Sequence, residues 1–301
     1  MPTLANQSVL AVQNIKGGVG KTTIAVNLAA LLAEKHHQRV LVIDADPQCN
    51  ASLYLLKDER FEARTREAQE RREGNLYDLF QGDVRYFDVV TGKPHGPSRK
   101  VSDYQEVVKE CAGGGSLTLL CGSARLFEVQ EMAAEIVVSR IQKWIPTTGE
   151  AYQHVIIDCP PSISSVSLAA LKAASKILVP MTPDMFAIHG LPVLMKSLHE
   201  YKRIFGIRAK VAGVVLSMFP DASDIVLRAK ADLYKQDIGR LCTNQEPPLR
   251  CLSGVLSRND AYPASFAARL PLAFATEPGV APLIRELEAV AVEVGLLKGG
   301  A

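Results

Sequence analysis

No stretch of this chain reaches the roughly 18 uninterrupted apolar residues that a membrane-spanning helix needs. Met1 to Ser8 carries no basic region followed by a long apolar run, so a secretory leader is not expected. Charge of one sign is also missing: 34 Lys and Arg face 32 Asp and Glu, a formal net charge of +2. The chain is therefore no polycation, and any contact with nucleic acid must come from a local patch. The six cysteines (Cys49, Cys111, Cys121, Cys159, Cys242 and Cys251) form no Cys-x-x-Cys pair and show no zinc-like spacing to histidine. They read as small buried or half-buried thiols in a reducing compartment. No internal repeat is visible, which argues against a solenoid. What is present is a hydrophobic content of 48% and an alternation of strand and helix patterns. Together they predict an α/β fold: a single doubly wound domain over 1–301 with a mostly parallel twisted sheet and helices on both faces.

The densest signal is Asn14-Ile15-Lys16-Gly17-Gly18-Val19-Gly20-Lys21-Thr22-Thr23. It follows an apolar run, Val9 to Val12, and opens a helical pattern from Thr22 to about Lys35. Strand, glycine loop and helix form the setting a phosphate-binding loop requires. Gly17, Gly18 and Gly20 let backbone N–H groups wrap phosphate oxygens, and the helix behind points its positive end at them. Val19 and Thr23 belong to the same cradle. Lys21 would reach the β- and γ-phosphates, and the Thr22 hydroxyl would sit on Mg²⁺. The common pattern G-x-x-x-x-G-K-[ST] needs a glycine at Ile15 and lacks it; a second lysine, Lys16, stands at the loop's front edge instead.

Two apolar runs end in carboxylates. Arg39 to Ile43 leads into Asp44-Ala45-Asp46-Pro47-Gln48, and Val155-Ile156-Ile157 leads into Asp158-Cys159-Pro160-Pro161. Ligands of doubly wound sheets bind at the carboxyl ends of parallel strands, so both clusters belong beside the loop. There a carboxylate can hold Mg²⁺ through its waters or orient an attacking water. A single such Asp is often only a turn former or helix cap; three at two strand ends beside a phosphate loop are harder to explain that way.

The loop resembles the deviant Walker A sequence, K-G-G-x-G-K-[ST], of the ParA/MinD/nitrogenase iron-protein class of ATPases. The resemblance implies that Lys16 crosses a dimer interface to the partner's nucleotide. It places Asp44 and Asp46 in switch I, with Asp46 positioning the hydrolytic water, and Asp158 at the Walker B position; Thr22, Asp44 and Asp158 then form the magnesium shell. Asp158-Cys159-Pro160-Pro161-Ser162 is similar to the ParA switch II. The stretch Val179 to Leu191 and the Leu256-Ser257-Arg258-Asn259-Asp260 segment point to the ParA (Soj-like) branch. That branch implies a cytoplasmic, nucleoid-associated partitioning ATPase. Mg-ATP drives a sandwich homodimer onto non-specific DNA, and a ParB-like centromere-binding partner stimulates hydrolysis and release. The resemblance favours Arg258 in DNA binding, and Arg228 and Lys230 lie in the segment Lys202 to Arg269, where eleven basic residues face six acidic ones. Base contacts are expected near Ser217, Arg258 and Asn259. One departure is Ser223, where Soj-like relatives often carry arginine.

Other readings exist within and beyond the class. A MinD-like membrane-cycling regulator would end in a basic amphipathic helix, whereas Pro282 to Glu288 and Leu296 to Ala301 lack a bulky basic anchor, so no membrane partner is expected. An iron–sulfur reductase would need shared cysteines, for which Cys121 and Cys159 are the one pair near strand ends. A ParA-like ATPase positioning a protein complex keeps the chemistry and changes the cargo. A scaffold with a dead site conflicts with the full set of Lys16, Lys21, Thr22, Asp44, Asp46 and Asp158. The first strand begins near residue 8, which leaves no room before it for the helix-turn-helix domain of larger plasmid relatives. A charged helical insert at about 57–73 reads as solvated and laced with i,i+4 pairs. Loops are expected at about 91–116, with a short helix from Val101 to Cys111. A turn at Pro180 to Pro183 ends the strand Ile177 to Val179. Helices follow at about 186–205 and 281–296, with a strand at 211–216 between them.

Overall fold

The computed structural model describes residues 7–69, 74–81, 86–87, 94–95, 100–148 and 152–298. Ten strands are present among them. They are β1 (Ser8–Val12), β2 (Arg39–Asp44), β3 (Tyr86–Phe87), β4 (Pro94–His95), β5 (Glu106–Glu110), β6 (Ser116–Leu120), β7 (His154–Asp158), β8 (Lys176–Met181), β9 (Lys210–Phe219) and β10 (Cys251–Ser257). The helices are α1 (Lys21–Lys35), α2 (Asn50–Leu55), α3 (Asp58–Gln69), α4 (Leu76–Gln81), α5 (Leu126–Gln130), α6 (Ala134–Val137), α7 (Arg140–Trp144), α8 (Ser165–Ala173), α9 (Met185–Phe205), α10 (Ile225–Thr243), α11 (Ala261–Ala267) and α12 (Ala281–Glu293).

Eight strands make one sheet in the order β10-β9-β8-β1-β7-β2-β6-β5. Within this sheet all pairings are parallel except β5 against β6. Strands buried on both faces read as continuous Val/Ile/Leu runs, as parallel sheets require. Successive residues serve opposite cores. Val9, Ala11, Leu41, Ile43, Val155 and Ile157 face the layer holding α7, α8 and α9. Leu10, Val12, Val40, Val42 and Ile156 face α1 and α12. Each fully buried Leu or Ile contributes about 1.5–3 kcal/mol of transfer free energy, so this register is strongly fixed. It sets Asp44 opposite Asp158 on neighbouring strands, with Val12 the Asp158 partner on the other side. The parallel strands thus deliver both acidic ends and the β1 loop to one edge of the sheet.

Three local expectations change. Val101 to Cys111 is not a helix: a 3₁₀ turn at Val101–Tyr104 precedes β5, an antiparallel edge strand. Its β-branched Val107 and Val108 suit a sheet edge better than a short helix. Strand β8 also runs through Pro180 and Met181, paired with Val215 and Leu216, so the turn begins only at Thr182. The charged insert is helical at 58–69, while residues 70–73 lie outside the described residues, as does most of the 91–99 loop. The insert is less solvated than expected. Arg64 is 3% exposed and donates to Glu106 and to the carbonyls of Gly74 and Asp103. Together with Arg60 on the same Glu106, it fastens α3 to the edge strand.

Candidate functional site

The loop after β1 is built around two left-handed glycines, Gly18 (φ 74°) and Gly20 (φ 83°). That conformation strains any residue with a Cβ. Around Gly17 and Gly18 the space is open, with no atom within 4 Å of where a Cβ would lie. The opening is the cradle that main-chain N–H groups surround. Gly20 is the N-cap of α1 and supplies no side chain to its first turn. The orphan N–H groups of a 15-residue helix therefore face the cradle, the arrangement that attracts an anion.

The loop is pinned from below. Asn14 accepts from the Lys16 N–H at 3.1 Å and donates to the Pro180 carbonyl at 2.7 Å. Ser217 is buried, and its hydroxyl donates to the Val19 carbonyl at 2.8 Å. Ser217 was expected at a base; its side chain is instead committed to the loop backbone. Lys21 is buried and donates to the Lys16 carbonyl at 3.0 Å. Burial lowers the pKa of its ammonium, while Asp158 and Asp46 pull it back up.

Beneath the loop sit the three carboxylates. The Thr22 hydroxyl donates to Asp158 Oδ2 at 2.7 Å. Asp158 Oδ1 is buried with no hydrogen-bond partner. Asp44 Oδ2 accepts from both the N–H and the hydroxyl of Ser52 at 2.7 Å, and the Ser52 oxygen accepts from the Gly122 N–H at 3.0 Å. Asp158 and Asp44 are fully buried. Burial raises both pKa values; Asp44 raises Asp158 further, and the Ser52 hydrogen bonds partly offset the rise at Asp44. Asp46 lies nearer the surface and accepts from the Gln48 N–H at 2.9 Å. Its pKa is raised by burial against the pull of Gln48 and Lys21. A divalent cation fits this set: a threonine hydroxyl, an orphaned carboxylate oxygen and a second buried carboxylate, all oxygen ligands of the kind Mg²⁺ takes.

Lys16 stands at the front edge, as its place in the motif requires, but in the single chain it is held at home. Its ammonium donates to Asp184 Oδ2 at 2.6 Å and to Thr182 Oγ1 at 3.0 Å, and it lies 5.1 Å from the Phe186 ring centroid. Asp184 is also the N-cap of α9, accepting from the Ala187 N–H at 3.0 Å. Burial raises its pKa, but the Lys16 and Thr182 hydrogen bonds outweigh that and hold it low. Asn14, Ser52, Thr182 and Asp184 are site residues that motif reading missed as such. Their signal was faint: each is a small polar residue just past a strand end or in a helix's first turn.

Arg258 and Asn259 fall beside the loop's exit. With Gly20, Thr23 and Met218 they line a cavity of about 530 Å³. Met218 itself has φ 52°, a strained backbone for a bulky residue, of a kind that clusters at functional sites. Arg228 is partly committed elsewhere: it donates to the Pro220 carbonyl at 2.9 Å and packs on the Phe219 ring. Lys230 stands 6.0 Å from the Tyr234 ring centroid. Cys121 and Cys159 are buried thiols whose pKa values burial pushes up, that of Cys121 to about 12. No helix among the described residues is long and apolar enough to cross a membrane.

Residues 7–210 match the family model of the AAA domain. The chromosome partitioning protein ParA of Caulobacter vibrioides is 33% identical over 211 residues, covering 70% of this chain and 69% of that protein. The sporulation initiation inhibitor protein Soj of Bacillus subtilis is 26% identical over 227 residues, 75% of this chain and 79% of Soj. In fold the chain is similar to an ATP complex of a Cyanothece McdA variant, with a TM-score of 0.71 at 18% identity over 98% of this chain and 99% of that one. It is also similar to a putative plasmid partition protein of Borrelia burgdorferi bound to AMPPNP, with a TM-score of 0.67 at 19% identity over 97% and 98% of the two chains.

Proposed function

Because the chain belongs to the ParA/Soj-type partitioning ATPases of the deviant Walker A class, we propose that its ATPase cycle switches it between a free subunit and a DNA-bound sandwich dimer. The loop N–H groups from Gly17 to Thr23 and the Lys21 ammonium hold the phosphates. Thr22, Asp44 and Asp158 would hold Mg²⁺, which neutralises charge on the β- and γ-phosphates. Asp46, with its raised pKa, orients the attacking water and accepts its proton. Lys16 leaves Asp184 and reaches the γ-phosphate of the partner's nucleotide, so ATP favours the dimer and ADP does not. Arg258 and Asn259 line the space beside Gly20 and Thr23 where a base would lie. The observation that carries this reading is the orphaned Asp158 oxygen beside the Thr22 hydroxyl, under an open loop with a free helix N-terminus.

In this reading the dimer binds DNA without sequence preference, and a ParB-like partner stimulates hydrolysis and release. The test is binding to a random-sequence duplex with ADP or ATP, using Asp46→Ala to block hydrolysis. ATP-dependent binding that weakens steeply with salt is expected. An ATP dimer without DNA affinity would move the platform to a protein assembly. One observation favours that second reading: the turn before α10 holds Ser223 between Asp221 and Asp224, so it offers carboxylates and no cation to a phosphate backbone.

A further inference from the structure

We infer that the groove between the C-terminal half of α9 and the turn at 245–249 is a docking site for an acidic segment of a partner protein that also carries apolar side chains. The groove encloses about 710 Å³, enough for several side chains. Pro192, Met195, Lys196, His199 and Lys202 line it from α9. They recur every three to four residues and so form one stripe of the helix. Lys210, at the start of β9, adds a third ammonium, and Val211 and Leu249 extend the apolar floor.

Among the described residues, neither Lys196, Lys202 nor Lys210 makes an ion pair or a side-chain hydrogen bond. Several other basic side chains of this half of the molecule are committed: Arg240 to Asp237, Arg250 to Glu293 and Arg269 to Asp58. Lys202 is half-buried, and desolvation lowers its pKa, the situation of a cation whose counter-charge has to come from outside. Glu246 also lines the groove, one carboxylate against the three ammonium groups, and exposed Arg203 and Arg208 flank Lys202 and Lys210 in the sequence. Duplex DNA would meet the rim lysines with its phosphates but leave an apolar floor empty. A peptide with carboxylates flanking an aliphatic side chain satisfies both. The groove opens where β9 begins, at the opposite end of the sheet from the phosphate loop, so an occupant leaves the ATP site open.

The experiment is fluorescence anisotropy of the full chain with a fluorescein-labelled peptide of alternating Glu and Leu, in about 0.1 M salt. The triple variant Lys196→Glu/Lys202→Glu/Lys210→Glu should weaken binding at least tenfold, with melting temperature and basal ATP turnover unchanged. Lys210→Glu alone, at an exposed position, should weaken it several-fold and guards against a folding artefact. An alternating Glu and Ser peptide should bind several-fold more weakly than the Leu peptide, because the floor stays unfilled. Equal binding by wild type and triple variant would overturn the proposal, as would equal binding of the two peptides. So would a random duplex that displaces the peptide and itself loses affinity in the triple variant, since the groove would then be a phosphate site.

Discussion

Replacing Asp184 with Asn isolates one charge in the proposed switch. Asp184 holds Lys16 at 2.6 Å, and the side chains are 35% and 36% exposed. Asn keeps an oxygen to cap α9 through the Ala187 N–H, so the variant removes the ion pair and spares the helix. At this exposure the pair contributes about 0.5–1 kcal/mol. If Lys16 must leave Asp184 to reach the partner's nucleotide, both copies lose this pair on dimerising. Asp184→Asn should then tighten the ATP dimer by about 1–2 kcal/mol, roughly 5- to 30-fold in the dimer constant. Sedimentation velocity in the Asp46→Ala background with saturating ATP measures it. The gain should shrink as salt rises, because screening already weakens the pair in the wild type. An unchanged or weaker dimer would refute the idea that the home contact opposes assembly. Lys16→Gln, by contrast, should still bind ATP and fail to dimerise.

Other outcomes follow from single side chains. Lys21→Ala should weaken ATP binding by at least about 30-fold, since a charge-assisted contact in a buried loop is lost; equilibrium dialysis with labelled ATP checks it, and normal affinity would remove Lys21 from the site. His154 is buried, its Nδ1 has no partner, and burial, aided by Lys176, lowers its pKa to about 4 from 6.5. The unfolded chain therefore binds the proton first as pH falls, and this contribution to stability is present above 6.5 and lost toward 4. Between pH 7 and pH 5 the wild type should lose about 2 kcal/mol more than His154→Gln in urea unfolding; parallel curves would show that His154 does not stay neutral in the fold. A hydrogen bond from Cys242 lowers the Cys251 pKa to about 7, helped by Lys235 against burial. Cys251 should thus be alkylated by iodoacetamide ahead of the other five cysteines at pH 7.5, as mass spectrometry would show, and Cys242→Ala should abolish that lead.

The parts of the site legible in the sequence are those encoded by contiguous spacing. The glycine loop, Lys16, Lys21, Thr22 and the acidic ends of β2 and β7 all follow from an apolar run meeting a polar cluster, and the parallel register then brings Asp44 and Asp158 together. What stayed hidden depends on partners far apart in the chain. Ser52 joins Asp44 to Gly122 across 70 residues, and Asp184 meets Lys16 across 168. Ser217, just past the expected strand 211–216, was expected near a base; only packing shows its hydroxyl on the Val19 carbonyl. Arg64 looked solvated because one helix's charge pattern cannot reveal that an edge strand will bury it.

The electrostatics of the free chain bear on why a switch would be built this way. Two fully buried carboxylates face each other across neighbouring strands, and only hydroxyls and N–H groups attend them. Lys21 is a cation that acts on Asp158 there, and burial works against its own charge. Like charges in a low-dielectric interior repel strongly, so this pair of carboxylates is costly on its own, and the helix N-terminus above it adds a positive potential. Bound Mg-ATP would relieve both within one subunit, and that relief accounts for nucleotide binding. It does not by itself account for the proposed dimer, because Asp44 and Asp158 are fully buried within their own chain. The residue that does stand at the edge is Lys16, and in the free chain it is already satisfied by Asp184 and Thr182. In the proposed sandwich dimer a γ-phosphate across the interface would have to outcompete a carboxylate at home. The phosphate carries more charge and several acceptor oxygens, so it wins the comparison only while it is present. Hydrolysis removes it, and Asp184 is waiting at 2.6 Å. On this argument the home contact sets how completely the dimer falls apart after hydrolysis. Asp184→Asn should therefore slow disassembly after ATP chase as well as tighten the dimer, and a dimer that still dissociates at the wild-type rate would confine Asp184 to capping α9.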